Sequence, residues 1–153
     1  MSPSYPSRNK KGLLIFDFDG VLADSFDYFY SLMSTSMNHV GRSLTRNQFS
    51  NFFIGNVHQG SKDFINNDLE YAAFSEFRKN NYDRYYYDKN KGVKLFPEVS
   101  KFIKEIEKEH ILTIASSGKQ DNIENLLGKN KIKRHFALIL ANSAYTKEGM
   151  INE

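Results

Sequence analysis

The sequence predicts an α/β protein: a Rossmann-like parallel sheet with an all-helical block inserted straight after its first strand. Three observations carry that prediction. Short apolar runs, "LLIFDF" (13–18), "HILTIASSG" (110–118) and "FALILANS" (136–143), alternate with segments of helical spacing. Within each run the apolar residues are continuous rather than alternating, the pattern of strands covered on both faces of a parallel sheet. Between the first run and the second, residues 24 to 90 read as helical throughout and hold most of the aromatic residues.

Element by element, "MSPSYPSRNKKG" holds two of the three prolines, several serines and a basic cluster. Residues 1 to 11 are expected to be a disordered leader. "LLIFDF" is the first strand, bounded by Gly12 and by "DG". In "DSFDYFYSLMSTSMNHVG" the apolar residues Phe26, Phe29, Tyr30, Met33 and Met37 follow a helical period and stop at Gly41. "TRNQFSNFF" and "SKDFINNDL" are expected as two shorter helices, and "LEYAAFSEFRKNNYDRYYYDK" as a long one. After "KGVKLFPEV", "PEVSKFIKEIEKE" is an amphipathic helix with Pro97 at its first position. "HILTIASSG" is the second strand. "KQDNIENLLGKN" is a helix closing at Gly128, and "FALILANS" is the third strand. Thr146 is placed to cap a last helix in "TKEGMINE". The domains expected are therefore an α/β core of residues 12 to 23 and 91 to 153, with a helical insertion of residues 24 to 90.

Composition narrows the function. The three basic side chains of residues 1 to 11, with no acid among them, account for the whole formal net charge of +3. The charge is thus a tail and not a patch, which argues against a nucleic-acid partner. The absence of cysteine excludes disulfides, thiolate nucleophiles and cysteine-based zinc sites. No run of about 18 apolar residues suggests a membrane span, no signal-peptide core is present, and a cytoplasmic location is the default.

In an open α/β sheet the site lies at the carboxyl ends of the strands. Those ends carry Asp17 and Asp19, then Ser116 and Ser117, then Lys147. Two carboxylates make a hard anionic nest for Mg²⁺. A carboxylate can attack phosphorus, and a second acid can pass a proton to the leaving oxygen and take one from water. A serine hydroxyl, backbone N–H groups near Gly20 and Ser117, and a lysine ammonium can compensate charge on a phosphoryl group.

The motifs resemble those of the haloacid dehalogenase superfamily, in its phosphatase and phosphomutase branch. "DFDGVLADS" is similar to its first motif, "ILTIASSG" to its second and "YTKEGM" to its third; "LFPEV" resembles the turn that follows the inserted cap. By position, the resemblance implies Asp17 as nucleophile and Asp19 as general acid/base. It implies Ser116 and Lys147 as phosphoryl ligands, with Gly20 and Ser117 beside them. Mg²⁺ would sit on the Asp17 carboxylate and the Asp19 backbone carbonyl. The function implied is Mg²⁺-dependent hydrolysis of small phosphorylated metabolites through an aspartyl-phosphate. A phosphomutase variant uses the same residues. The alternative is an incomplete member that binds phosphate or a partner without turnover. That alternative arises because the family's fourth motif, further acids after a later strand beside the first, has no counterpart before Glu153. The first strand is then expected to be an exposed apolar edge.

Other chemistries fit less well. An EF-hand loop starting at Asp17 needs a Glu at its twelfth position, where Tyr28 stands. Ser116 and Ser117 can also be read as plain caps of the following helix, and Lys147 as a surface lysine. The aromatics of 71 to 87 suit cap packing, although Tyr85, Tyr86 and Tyr87 cannot all be buried. His39, His58, His110 and His135 lack metal-ligand spacing. Arg42, Arg46 and His58 are the cap side chains expected near a substrate.

Overall fold

A computed structural model describes residues 12–54, 57–90 and 92–141. In chain order the elements are β1 (Gly12–Phe16), β2 (Ala23–Asp24), α1 (Phe26–His39), α2 (Arg46–Asn51), α3 (Val57–Ile65), α4 (Asp68–Tyr86), β3 (Lys94–Leu95), α5 (Val99–Ile106), β4 (His110–Ser116), α6 (Gln120–Lys129) and β5 (Leu138–Ala141). They form two compact units, Met1–Ala23 with Leu95–Glu153, and Asp24–Lys94.

In the first unit β1, β4 and β5 form a parallel sheet in the order β1-β4-β5. This is the α/β arrangement that the alternating runs predict. Register pairs Leu13 with Ile111, and Ile15 with Thr113, which in turn pairs with Leu138. Partners in a parallel register point to one face. The other face packs well: Phe16 meets Phe102 of α5 and Phe136 edge-on, at 6.2 and 6.4 Å, and Leu112, Ile114, Ile103, Ile123 and Leu127 are buried.

The continuous run of "LLIFDF" predicts cover on both faces, and the structure departs from this. Leu13 is 59% exposed and Ile15 45%, beside the half-exposed Ile111 and Leu138. The open face runs across the sheet, since Ile111 of the central strand β4 is exposed on it as well, while the Phe16 face takes the packing. β1 is, as expected, an edge strand of the sheet among the described residues.

Two helix boundaries also differ. "SKDFINNDL" is not one helix. α3 ends at Ile65, Asn66 turns left-handed (φ 49°), and the Asn67 side chain accepts from the N–H groups of Leu69 and Glu70 to start α4. Asparagine suits both tasks. Pro97 is not the first residue of α5: Glu98 (φ 66°) makes a left-handed turn and the helix begins at Val99.

The second unit is all-helical apart from the single residues that β2 and β3 lend to it. Its core is Met33, Met37, Leu44, Phe49, Phe52, Ile65 and Phe74, with Phe26, Tyr30 and Tyr71 packed against it. Thr45 and Gln48 form a reciprocal capping box on α2. Of the three consecutive tyrosines, Tyr86 is buried, Tyr85 donates to Thr35 Oγ1 at 2.9 Å, and Tyr87 is exposed. Among the described residues no helix is long and apolar enough to cross a membrane. The helix expected after Thr146 lies outside the described residues.

Candidate active site

The site starts from one buried ring. β1 stops at Phe16, and Phe18 is fully buried. Because successive side chains in extended chain alternate, burying Phe18 turns Asp17 and Asp19 away from the core, and both are half-buried. The following loop is tightly bonded. The Phe18 carbonyl accepts from the N–H groups of Leu22 (3.0 Å) and Ala23 (2.9 Å), and Asp19 bridges Ala23. Asp17 Oδ1 accepts from the Phe18 N–H at 2.7 Å.

Gly20 adopts φ 75°, a conformation open to glycine at little cost. Its N–H donates to the Ala23 carbonyl at 2.8 Å. That engages the amide expected to meet a phosphate, so Gly20 shapes the loop instead.

β4 is bonded beside β1, so their carboxyl ends lie side by side. Ser116, at the end of β4, is 1% exposed. Its Oγ accepts from the Gly118 N–H at 3.1 Å. A Cβ added to Gly118 would stand 3.4 Å from Ser116 Oγ and 3.5 Å from Asp19 Oδ2. The hydroxyl and the carboxylate therefore converge on one small space that a glycine keeps open. The capping reading of the serines does not hold: the N-cap position of α6 is Lys119, with no side-chain cap bond. Ser117 is exposed. Lys147 lies outside the described residues.

Asp17, Asp19 and Ser116 thus gather in the first unit. The cap candidates do not share one role. Arg42 pairs with Glu70 at 2.8 Å and Arg46 with Asp27. His58 faces Arg78, 3.4 Å from its Nδ1, and burial together with the Arg78 charge holds its pKa below the ordinary histidine value. His39 stacks on Phe77, and His135 contacts Glu107 at 2.6 Å. Gly118 was not among the expected site residues. The glycine ending "ASSG" is its visible signal.

A sequence profile of the haloacid dehalogenase-like hydrolases matches residues 14–149. The chain belongs to this family. Solved structures share the hydrolase fold. A predicted phosphoglycolate phosphatase from Haemophilus somnus superposes with a TM-score of 0.71 at 18% identity, covering 88% of this chain and 64% of that one. A haloacid dehalogenase-like hydrolase from Streptococcus pneumoniae gives 0.76 at 17%, covering 94% and 68%. A predicted phosphatase from Clostridium acetobutylicum gives 0.71 at 18%, covering 93% and 68%. The chain spans 64% of the length of the first of these proteins. Comparison with curated proteins found no match.

Proposed function

We propose that this hydrolase is a Mg²⁺-dependent phosphatase that cleaves small phosphorylated metabolites through an aspartyl-phosphate on Asp17. The observation that carries the reading is the convergence of Asp19 Oδ2 and Ser116 Oγ around Gly118, at the carboxyl ends of adjacent parallel strands. The names given to the Haemophilus and Clostridium proteins point the same way.

A carboxylate oxygen of Asp17 attacks phosphorus, and the bond from phosphorus to the leaving oxygen breaks. Asp19 donates its proton to that oxygen. It then takes a proton from the water that attacks the phospho-aspartate, releasing phosphate and restoring both acids. Ser116 donates to a phosphoryl oxygen, and Lys147 is the proposed cation beside it. The donor set suits Mg²⁺: hard oxygens from Asp17 and Asp19, few in number, as this water-retaining ion accepts. When bound, the ion neutralises charge on the phosphoryl group. The helical unit is the proposed cap that selects the substrate, and the finer choice between phosphatase and phosphomutase rests on where the phosphoryl group goes next.

The test is a panel of phosphorylated metabolites with Mg²⁺, assayed for phosphate release and, after acid quench, for label on Asp17. Release without labelled Asp17 refutes the intermediate. Saturable phosphate binding with no release from any substrate identifies the binding-only alternative.

A further inference from the structure

We propose that Gln120 is a positioning residue for the phosphoryl end of the site: its side-chain amide clamps the carboxyl end of β5 to the start of α6 and so fixes the turn that carries Ser116 and Gly118. The inference rests on the phosphatase reading for what Ser116 does, and adds a residue that touches no substrate.

The clamp has two bonds. Gln120 Nε2 donates to the Ile139 carbonyl at 3.0 Å, and Gln120 Oε1 accepts from the Ala141 N–H at 3.0 Å. A neighbouring parallel strand bonds a carbonyl and the N–H two residues on in the same way. A side-chain amide, with an acceptor and two donors on one planar group, can imitate it. The amide is itself held from the other side. Nε2 also donates to Glu124 Oε1 at 2.8 Å, and Glu124 Oε2 takes Lys133 Nζ at 2.5 Å. Two acceptors at the nitrogen and one donor at the oxygen fix which way the amide points. Glu124 stays an ionised acceptor, since its bonds with Lys133 and Gln120 hold its pKa below the ordinary glutamate value.

What the clamp holds is the turn between β4 and α6. Gln120 is the first residue of α6, two residues after Gly118 and four after Ser116. Lys119 stands at the N-cap of that helix without a side-chain cap bond, so the usual anchor of a helix start is missing. The turn is anchored across the sheet instead. At its near end Ser116, the last residue of β4, is in register with Ala141. At its far end Gln120 is bonded to that same Ala141. Inside the turn the Gly118 N–H donates to Ser116 Oγ at 3.1 Å. That bond occupies one lone pair of the hydroxyl and leaves its O–H to donate to a phosphoryl oxygen. The direction of the hydroxyl thus depends on where Gly118 lies, and Gly118 on where α6 begins.

Amide hydrogen exchange by NMR and phosphate release, both on the whole chain, test the clamp through Gln120→Leu, which keeps the bulk and removes both bonds. Exchange at Ala141 and at Gly118 is expected to be about tenfold faster in the variant, the worth of one such bond, with the far-UV circular dichroism of the parent kept. Phosphate release from the best substrate is expected to fall about tenfold or more in kcat, as misplacement at a site does. Gln59→Leu, which removes a glutamine bonded to Asp63 on the helical unit, changes neither. Faster exchange at Ala141 alone overturns the proposal and leaves Gln120 a plain hydrogen-bond partner of β5. So does an unchanged kcat in a folded variant. A parent that releases no phosphate counts against the phosphatase reading, and exchange at Gly118 then decides the clamp by itself. Should Gln120→Leu lose its circular dichroism, Gln120→Glu decides: it keeps the acceptor for Ala141 and loses the donor to Ile139, and unchanged exchange at Gly118 overturns the clamp.

Discussion

Phe49→Ala offers the sharpest test of how the helical unit is held together. Phe49 is fully buried at the centre of that core. Its ring centroid lies 5.3 Å from Phe26, 5.8 Å from Tyr30, 6.4 Å from Phe52 and 5.1 Å from Phe53. Truncating a buried phenylalanine costs about 3–5 kcal/mol in transfer and cavity terms. Aromatic pairs at these spacings contribute about 0.5–1.5 kcal/mol beyond area, so the upper end, about 5 kcal/mol, is expected here. Whole domains are stable by only about 5–15 kcal/mol. The variant should therefore leave this unit unfolded or nearly so in plain buffer. Tyrosine fluorescence reads it selectively: there is no tryptophan, and seven of the nine tyrosines, Tyr28, Tyr30, Tyr71, Tyr82, Tyr85, Tyr86 and Tyr87, lie in Asp24–Lys94. In urea the midpoint should fall by about 4–5 M, given a slope of about 1 kcal/mol/M for so small a unit. Phe53→Ala, at a residue 51% exposed, is the control and should cost about 1 kcal/mol. A loss below about 2 kcal/mol at Phe49 would refute the reasoning, because it would mean the site collapses around the missing ring.

Four further outcomes are expected. Asp17→Asn should keep the far-UV circular dichroism of the parent and lose phosphatase turnover by well over tenfold, and EDTA should abolish turnover in the parent; activity above about a tenth in the variant counts against Asp17 as nucleophile. Gly118→Ala has no left-handed φ to strain it, but its methyl group would stand 3.3 Å from Cδ1 of the buried Ile123, so it should cost about 1 kcal/mol by urea titration. Its methyl group would stand 3.4 Å from Ser116 Oγ and 3.5 Å from Asp19 Oδ2, so phosphate affinity should drop about tenfold or more, as misplacement at a site does. Thr45→Ala removes the acceptor for the Gln48 N–H and should cost about 1 kcal/mol by urea titration. Ile15→Lys, on the exposed edge, should reduce light scattering in concentrated samples with little change in midpoint; unchanged scattering would show that this edge does not drive association.

The fold class and the candidate catalytic acids are legible in the amino-acid sequence alone. Three continuous apolar runs interleaved with helical spacing leave few arrangements other than a parallel sheet, since right-handed crossovers and buried strands allow little else. Asp17 and Asp19 were legible because a catalytic motif is local: the buried Phe18 between them and the turn at Gly20 are set by adjacent residues. Ser116 was legible as a strand end, but its partners were not. Its hydroxyl takes the Gly118 N–H within two residues, but that Asp19 Oδ2 shares the space beside Gly118 depends on β4 lying against β1 across about a hundred residues. Tertiary structure likewise decided which candidate cations are engaged. Arg42 and Arg46 look like substrate ligands in a string of letters, and only the packing of α1, α2 and α4 shows them matched to Glu70 and Asp27, while Arg78 comes to face His58. It also decided that one face of β1 stays open, with Leu13 and Ile15 exposed. A strand's composition states what it can bury; its neighbours in space decide what it does bury.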